Sequence, residues 1–227
     1  MQELHALGFQ SIELEGIHAQ HLSHMHAISD DVRRTLDRLA VSVPYDCVVL
    51  PGLASPDAAI RARNLELFER GCETAVVLGA RGVLDNGPLP PYAFPGDLPV
   101  VRHCDQDVIA RAGIPASLDW DDYWQGLVET YRQACDIAAR HELRYVIHPA
   151  IGVLCANTDG FLHFHDCVDR GNLRFNLDTA NQFVQRDHLP LSLIRLAGLV
   201  AYIHVSDVED LGRAYVDAAR FVSGRIS

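Results

Sequence analysis

A (β/α)-barrel fold is predicted for this chain of 227 residues by two features of its sequence. Short apolar segments alternate with amphipathic helical ones, which is the pattern of a parallel sheet covered by helices. In the strand that ends at Asp178, apolar side chains alternate with polar ones, so one face of the sheet is polar. An open doubly wound sheet favours continuous apolar strands, whereas a barrel can hold polar side chains at the carboxyl ends of its strands. The length suits one domain, so residues 1–227 are predicted to form a single barrel domain.

Six strands are predicted from short apolar runs bounded by turn residues. They are Gln10–Leu14, Asp46–Leu50, Gly82–Asp85, Arg144–His148, Leu173–Asp178 and Ala201–Val205. A complete barrel of this type has eight strands. The predicted fold class is therefore α/β, of the (β/α)8 TIM-barrel type, without the first and eighth strands in this chain. Either the chain omits part of a longer protein, or a partner closes an incomplete barrel.

Capping residues mark the predicted helices. Ser55 as N-cap, with Pro56 and Asp57 in the first turn, predicts a helix that ends where Gly79 follows Leu78. Asp119 predicts the start of a helix that reaches His141. Further helices are predicted over Gln2–Leu7, Asp159–Val168 and Asp210–Val222. Six prolines and three glycines between residues 86 and 118 predict a long proline-rich loop, a kind of segment that often forms a lid.

Composition excludes several classes of function. All 19 basic residues are arginine, which removes mechanisms that need a lysine amine, such as Schiff-base aldolases, pyridoxal enzymes and P-loop NTPases. A formal charge of −11 opposes binding to nucleic acid or to an anionic membrane. The six cysteines are widely spaced without a C-x-x-C pair, and no signal peptide or membrane span is recognised. A cytoplasmic protein that acts on a small neutral or metal-bridged substrate is expected, and a homo-oligomer is compatible with these features.

Three polar residues end predicted strands that are far apart in sequence: His148, Asp178 and His204. The carboxyl ends of parallel strands converge at one edge of a sheet, so these side chains are expected to meet. Two imidazoles and one carboxylate suit a divalent metal with open positions, namely Mn²⁺, Co²⁺, Mg²⁺, Fe²⁺ or Zn²⁺. Each histidine taken alone could equally be a hydrogen-bonded structural residue.

Other candidates lie near strand ends. Glu13 is expected to point inward as a base, with an ion pair to an arginine as the equal alternative, and Glu15 follows on the same face. Asn181 and Asp207 could bind sugar hydroxyls or cap helices. Of the histidines after the first strand, His18 alone lies near its end. These residues complete the predicted site.

Four segments resemble the xylose-isomerase-like barrels, which include sugar-phosphate isomerases and epimerases, ketose 3-epimerases, inosose dehydratases and a family of apurinic-site endonucleases. The segments are Leu7–Leu14, Leu78–Ala80, Asn176–Asn181 and Tyr202–Asp207. In that family, acidic residues and a histidine at the ends of the fifth to eighth strands hold a metal. The resemblance places Asp178 and His204 at the sixth and seventh positions and Asn181 at a substrate-binding position. His148 stands where the family has glutamate, and the eighth position has no counterpart.

The resemblance implies a metal-dependent sugar isomerase or epimerase, in which a base removes a proton next to a carbonyl and the metal stabilises the enediolate. Asp178, His204 and His148 would hold the metal, and His148 or Glu13 would act as the base. A histidine does not reproduce the pair of glutamates that an epimerase uses on opposite sides of its substrate. A lyase or dehydratase acting on a keto-sugar or inosose, or a non-catalytic barrel subunit of a complex, are therefore the alternatives.

Overall fold

The computed structural model describes residues 2–93, 110–210 and 214–216. The helices are α1 (Gln2–Ala6), α2 (His18–Leu39), α3 (Ala58–Leu78), α4 (Trp120–Arg140), α5 (Thr158–Val168), α6 (Thr179–Val184) and α7 (Leu189–Arg195), and a 3-10 helix covers Pro51–Ala54. The strands are β1 (Leu14–Ile17), β2 (Asp46–Val49), β3 (Gly82–Asn86), β4 (Arg144–His148), β5 (Leu173–Asp178), β6 (Val200–His204), β7 (Asp207–Asp210) and β8 (Ala214–Val216). None of the described helices is long and apolar enough to cross a membrane.

Strands β1 to β6 form one sheet in chain order, and β7 and β8 form a separate pair. The pairs β1–β2, β2–β3 and β5–β6 are parallel, with helices along the chain between successive strands. A parallel sheet with one strand per crossover and no reversal of order is the pattern of a (β/α)8 barrel, of which six strands are present in the described residues. The predicted α/β barrel class is confirmed.

The prediction for the first strand is wrong in position. Strand β1 covers Leu14–Ile17 rather than Gln10–Leu14, and before it Ser11 forms only an isolated bridge with Ser42. Glycine disfavours strands, but position 16 of β1 lies close to Leu22, where a larger side chain would be crowded. A Cβ atom on Gly16 would lie 3.0 Å from Leu22 Cγ.

The helix predicted over Asp210–Val222 is also wrong where it can be compared. Residues 207–210 and 214–216 form the antiparallel strands β7 and β8, in which Val208 pairs with Tyr215. Valine and tyrosine favour strands, and this preference outweighs the helical spacing. The rest of that segment lies outside the described residues, as do residues 94–109 of the predicted loop. The described parts of the loop, residues 87–93 and 110–118, contain no helix, and Ala93 bridges Gly113.

Helix starts follow the predicted capping chemistry with one shift. Asp57, not Ser55, caps α3, because its side chain accepts a hydrogen bond from the backbone N–H of Ala59. Asp119 caps α4 as predicted and accepts from the N–H of Asp122. Gly79 ends α3 in the left-handed conformation, with φ of 76°.

The chain divides into two compact units. Unit 1 comprises residues 1–85, 116–146 and 168–173. Aromatic rings lie at its centre: Tyr145 stacks on Tyr131 with ring centroids 5.8 Å apart and contacts Phe68 at 4.9 Å. All three are fully buried. A second cluster is formed by Val32, Leu36, Val41, Val43 and Leu78.

Unit 2 comprises residues 86–115, 147–167 and 174–227. Phe161 of α5 packs on Phe175 of β5, with ring centroids 4.6 Å apart, and both are fully buried. A buried polar network joins its helices, in which Thr158 bonds Ser192 at 2.8 Å and Asp187 at 2.7 Å. Burial of the apolar rings stabilises the end of β5, which carries the candidate site.

Candidate metal centre

Three strands of the parallel sheet end in the residues predicted to meet. His148 is the last residue of β4, Asp178 of β5 and His204 of β6. In the β5–β6 register Asp178 lies directly beside His204. All three side chains belong to unit 2.

The three side chains form a compact cluster. His148 Nε2 lies 3.1 Å and His204 Nδ1 3.8 Å from the same oxygen, Oδ2 of Asp178. One ligand atom from each residue lies within 4.8 Å of the other two. The imidazole rings meet edge to face, with centroids 5.1 Å apart. Among the described residues no other group of three or more histidine, cysteine and acidic side chains meets these distances.

Asp178 is held from its other oxygen. Oδ1 accepts hydrogen bonds from the backbone N–H of Asn181 at 2.7 Å and from the Ser206 hydroxyl at 3.1 Å. Burial, the largest influence, raises the pKa of this carboxyl. The hydrogen bond and charge of His148, the Asn181 N–H and His204 together outweigh burial and leave the pKa below its usual value. Asp178 is therefore a carboxylate at neutral pH, the form that binds a metal.

His148 is held from both sides of its ring. Nδ1 lies 3.2 Å from Oδ1 of Asn86, and Nε2 lies 3.2 Å from Nδ2 of Asn181 as well as 3.1 Å from Asp178. The amide nitrogen of Asn181 is a donor and requires a lone pair on Nε2, whereas the carboxylate requires a hydrogen there. A single ring nitrogen cannot satisfy both partners.

The cluster fits a divalent cation. A cation held by His148 and Asp178 would accept a lone pair from each, and Asp178 would then need no hydrogen on Nε2 of His148. Two imidazoles and one carboxylate are a ligand set found around zinc and other transition metals, and three protein ligands leave a position open. His148, Asp178 and His204 are thus the residues that would hold the ion.

The structure brings one further predicted residue to this cluster and places the others elsewhere. Asn181 is fully buried and contacts His148. Asp207 is exposed, and its carboxylate accepts from the N–H of Val208. Glu13, Glu15 and His18 belong to unit 1 and are exposed.

The corrected first strand changes the position of the predicted base. Glu13 comes immediately before β1, at its amino end, and not near its carboxyl end as the predicted strand implied. His18 is the first residue after β1, with a φ of 62° that is uncommon for a residue other than glycine. The roles predicted for Glu13, Glu15 and His18 remain predictions.

Sequence reasoning gave no role to two residues of the cluster, Asn86 and Ser206. Asn86 ends β3, so the rule that selected His148, Asp178 and His204 would also have selected it. Ser206 lies two residues after the end of β6. Apart from that position, nothing in the sequence indicates that its hydroxyl contacts Asp178.

Comparison with known proteins identifies the family. Residues 1–223 match the model of the xylose isomerase-like TIM barrel. The chain belongs to this family. No curated protein matches the chain.

Solved structures with similar folds include a probable dehydratase, an epimerase and a protein with a bound zinc atom. The probable 3-DHS dehydratase AsbF of Bacillus anthracis is 18% identical, with a TM-score of 0.64 over 92% of this chain and 67% of that one. The 3-keto-D-glucoside 4-epimerase YcjR of E. coli is 16% identical, with a TM-score of 0.70 over 91% and 72%. The IOLI protein, solved with a zinc atom, is 16% identical, with a TM-score of 0.65 over 92% and 67%. At these identities the likeness concerns the fold.

Proposed function

We propose that the chain is a metal-dependent sugar isomerase or epimerase that removes a proton next to a carbonyl group. The observation that carries the proposal is the convergence of His148, Asp178 and His204 on one oxygen at the ends of three strands. Membership of the family, and the epimerases and dehydratase among proteins of similar fold, support a carbohydrate substrate.

A divalent cation at this cluster would polarise the substrate carbonyl and stabilise the negative charge that follows proton loss. Hydrogen bonds within the protein orient the carboxylate that would bind the cation. Ser206 and the Asn181 N–H occupy one oxygen of Asp178, so the other oxygen is directed at the two histidines. Asn181, buried beside His148, would orient a substrate hydroxyl with its side-chain amide.

His148 acts in this proposal as a ligand and not as the base. Its Nδ1 contacts Asn86, and its Nε2 is the atom in the cluster. Nε2 cannot hold a cation and accept a substrate proton at the same time. The base is then another group; Glu13 is the residue predicted from the sequence for this role, and it precedes the amino end of β1.

A dehydratase is the second candidate, and one observation favours it. Among the described residues the cluster contains a single carboxylate, Asp178. Two-sided epimerisation needs a base on each side of the substrate, whereas elimination of water needs one base and one acid. AsbF, a protein of similar fold, is a probable 3-DHS dehydratase.

Activity with Mn²⁺ on a panel of ketoses and inososes tests both candidates. In ordinary water, an isomerase or epimerase yields a product of the same mass as its substrate, whereas a dehydratase yields a product lighter by one water molecule. In heavy water, the product of the isomerase or epimerase gains deuterium. Metal content is measured in parallel on the wild type and on Asp178→Ala. Loss of one direct ligand should reduce metal occupancy and activity by about 100-fold or more.

Glu13→Gln separates the base from the ligands. If Glu13 is the base, this change lowers turnover by about 100-fold or more while metal content stays at the wild-type level. Full metal occupancy in Asp178→Ala would refute the metal centre, and wild-type turnover in Glu13→Gln would refute the base.

A further inference from the structure

The last residue of β3 and the loop that follows it are hydrogen-bonded to the end of β4 and to the segment after it at several points. Asn86 contacts the ring of His148 at Nδ1, and the backbone N–H of Gly87 donates to the carbonyl oxygen of His148 at 2.9 Å. Beyond them, the N–H of Leu154 donates to the carbonyl of Pro88 at 2.8 Å. The loop therefore fixes both the backbone and the ring of His148.

Gly87 allows this close approach. A Cβ atom at this position would lie 2.7 Å from Cγ2 of Val153, closer than real Cβ contacts. The backbone of the loop thus packs directly against the segment that follows β4. Asn86 is held next to His148 by this packing and by its place at the end of β3.

The contact between Asn86 and His148 determines which ring nitrogen carries hydrogen. Oδ1 of Asn86 is a carbonyl oxygen and can only accept, so Nδ1 of His148 must be the donor. A neutral imidazole has one N–H, so a His148 that keeps hydrogen on Nδ1 can give up the Nε2 hydrogen that Asp178 accepts and present a lone pair there to a cation. Nε2 is the nitrogen that faces Oδ2 of Asp178.

We infer that Asn86 is a positioning residue of the metal centre, which fixes His148 in the tautomer that presents its Nε2 lone pair to a divalent cation. The inference rests on the proposed function for the cation. Its own content is that an uncharged amide does here what a carboxylate or backbone carbonyl does behind many metal-binding histidines. Asn86 does not itself touch the metal or the substrate.

Zinc affinity of the full-length protein, stripped with a chelator and titrated against a competing zinc indicator, tests this role. Asn86→Ala should weaken zinc binding by about 10- to 100-fold, and Asn86→Asp, which keeps an acceptor, should restore affinity to within about threefold of the wild type. Asn172→Ala is the matched control, because it removes a side-chain amide that bonds the Cys135 carbonyl at 2.8 Å in unit 1. The control should leave zinc affinity unchanged.

The tautomer is read independently from ¹⁵N chemical shifts of the histidine rings, with His148 assigned by comparison with His148→Gln. Nδ1 of His148 should carry hydrogen in the wild type with and without zinc, and should lose it in part of the molecules of Asn86→Ala. A bare Nδ1 in the wild type, or a folded Asn86→Ala that binds zinc as the wild type does, would overturn the inference. Absence of zinc binding in the wild type would instead refute the proposed metal centre, and the ¹⁵N shifts would then decide only whether Asn86 fixes the tautomer of His148.

Discussion

Asp46 in unit 1 is a buried acidic side chain whose environment changes its pKa. It is 3% exposed, and its Oδ1 has no hydrogen-bond partner among the described residues. Burial, followed by the negative charge of Glu13, raises its pKa from 3.8 to about 7. The folded protein therefore holds Asp46 as a neutral acid at mildly acidic pH.

The raised pKa predicts a pH-dependent stability. The contribution of Asp46 is complete below the unfolded pKa of 3.8 and is lost as pH rises through about 7, because the folded state must then bury a charge. Asp46→Asn removes this titration. Its free energy of unfolding relative to the wild type should rise by about 2–4 kcal/mol between pH 4 and pH 8.

Urea unfolding at several pH values measures this change. Asp30→Asn, which removes the same charge from an exposed position of α2, should show no such trend. A difference between Asp46→Asn and the wild type that stays constant with pH would mean that Asp46 is ionised in the folded protein.

At the scale of elements, a larger side chain at Gly87, in the loop after β3, should lower the stability of the protein. In Gly87→Ala the new methyl group would meet the stiff side chain of Val153, and overpacking of this kind costs about 1–3 kcal/mol. Gly171→Ala is the control, because nothing lies within 4 Å of a Cβ atom there. Thermal unfolding of both variants measures the cost.

A double variant identifies the cause. In Gly87→Ala/Val153→Ala the contact no longer exists, so the combined loss of stability should be smaller than the sum of the two single losses by about 1 kcal/mol or more. Additive losses would show that the loop moves away from Val153 at no cost.

The sequence predicts elements best where an element's own residues determine it. Asp119 and Gly79 mark helix ends through local capping, and both predictions are confirmed. The first strand was predicted too early in the chain, because polar and apolar residues alternate from residue 10 onward. The bounds of β1 depend on its pairing with β2, in which Leu14 lies beside Asp46. Asn86 was missed because the predicted third strand stopped at Asp85, one residue short of the end of β3.

At the scale of the whole molecule, the chain passes between the two units within its strands. The unit boundaries fall between Asp85 and Asn86 in β3, in β4 after Val146, and in β5 after Leu173. Each unit is made of three segments of the chain, so the chain passes several times from one unit to the other. We therefore expect one cooperative unfolding transition; the single domain predicted from the sequence stays a prediction that this transition would test.

Zinc tests this cooperativity because its proposed site and the fluorescent reporters belong to different units. Both tryptophans, Trp120 and Trp124, lie in unit 1, and the cluster around Asp178 lies in unit 2.

Zinc at 100 times its dissociation constant stabilises the folded state by about 2.7 kcal/mol, which raises Tm by about 5–10 °C for a protein of this size. If the units unfold together, tryptophan fluorescence reports the full shift although the metal binds in the other unit. Asp178→Ala should show no shift. A fluorescence transition that stays in place while calorimetry shows a second transition move with zinc would establish that the units unfold separately, and the molecule would then consist of two domains in the thermodynamic sense.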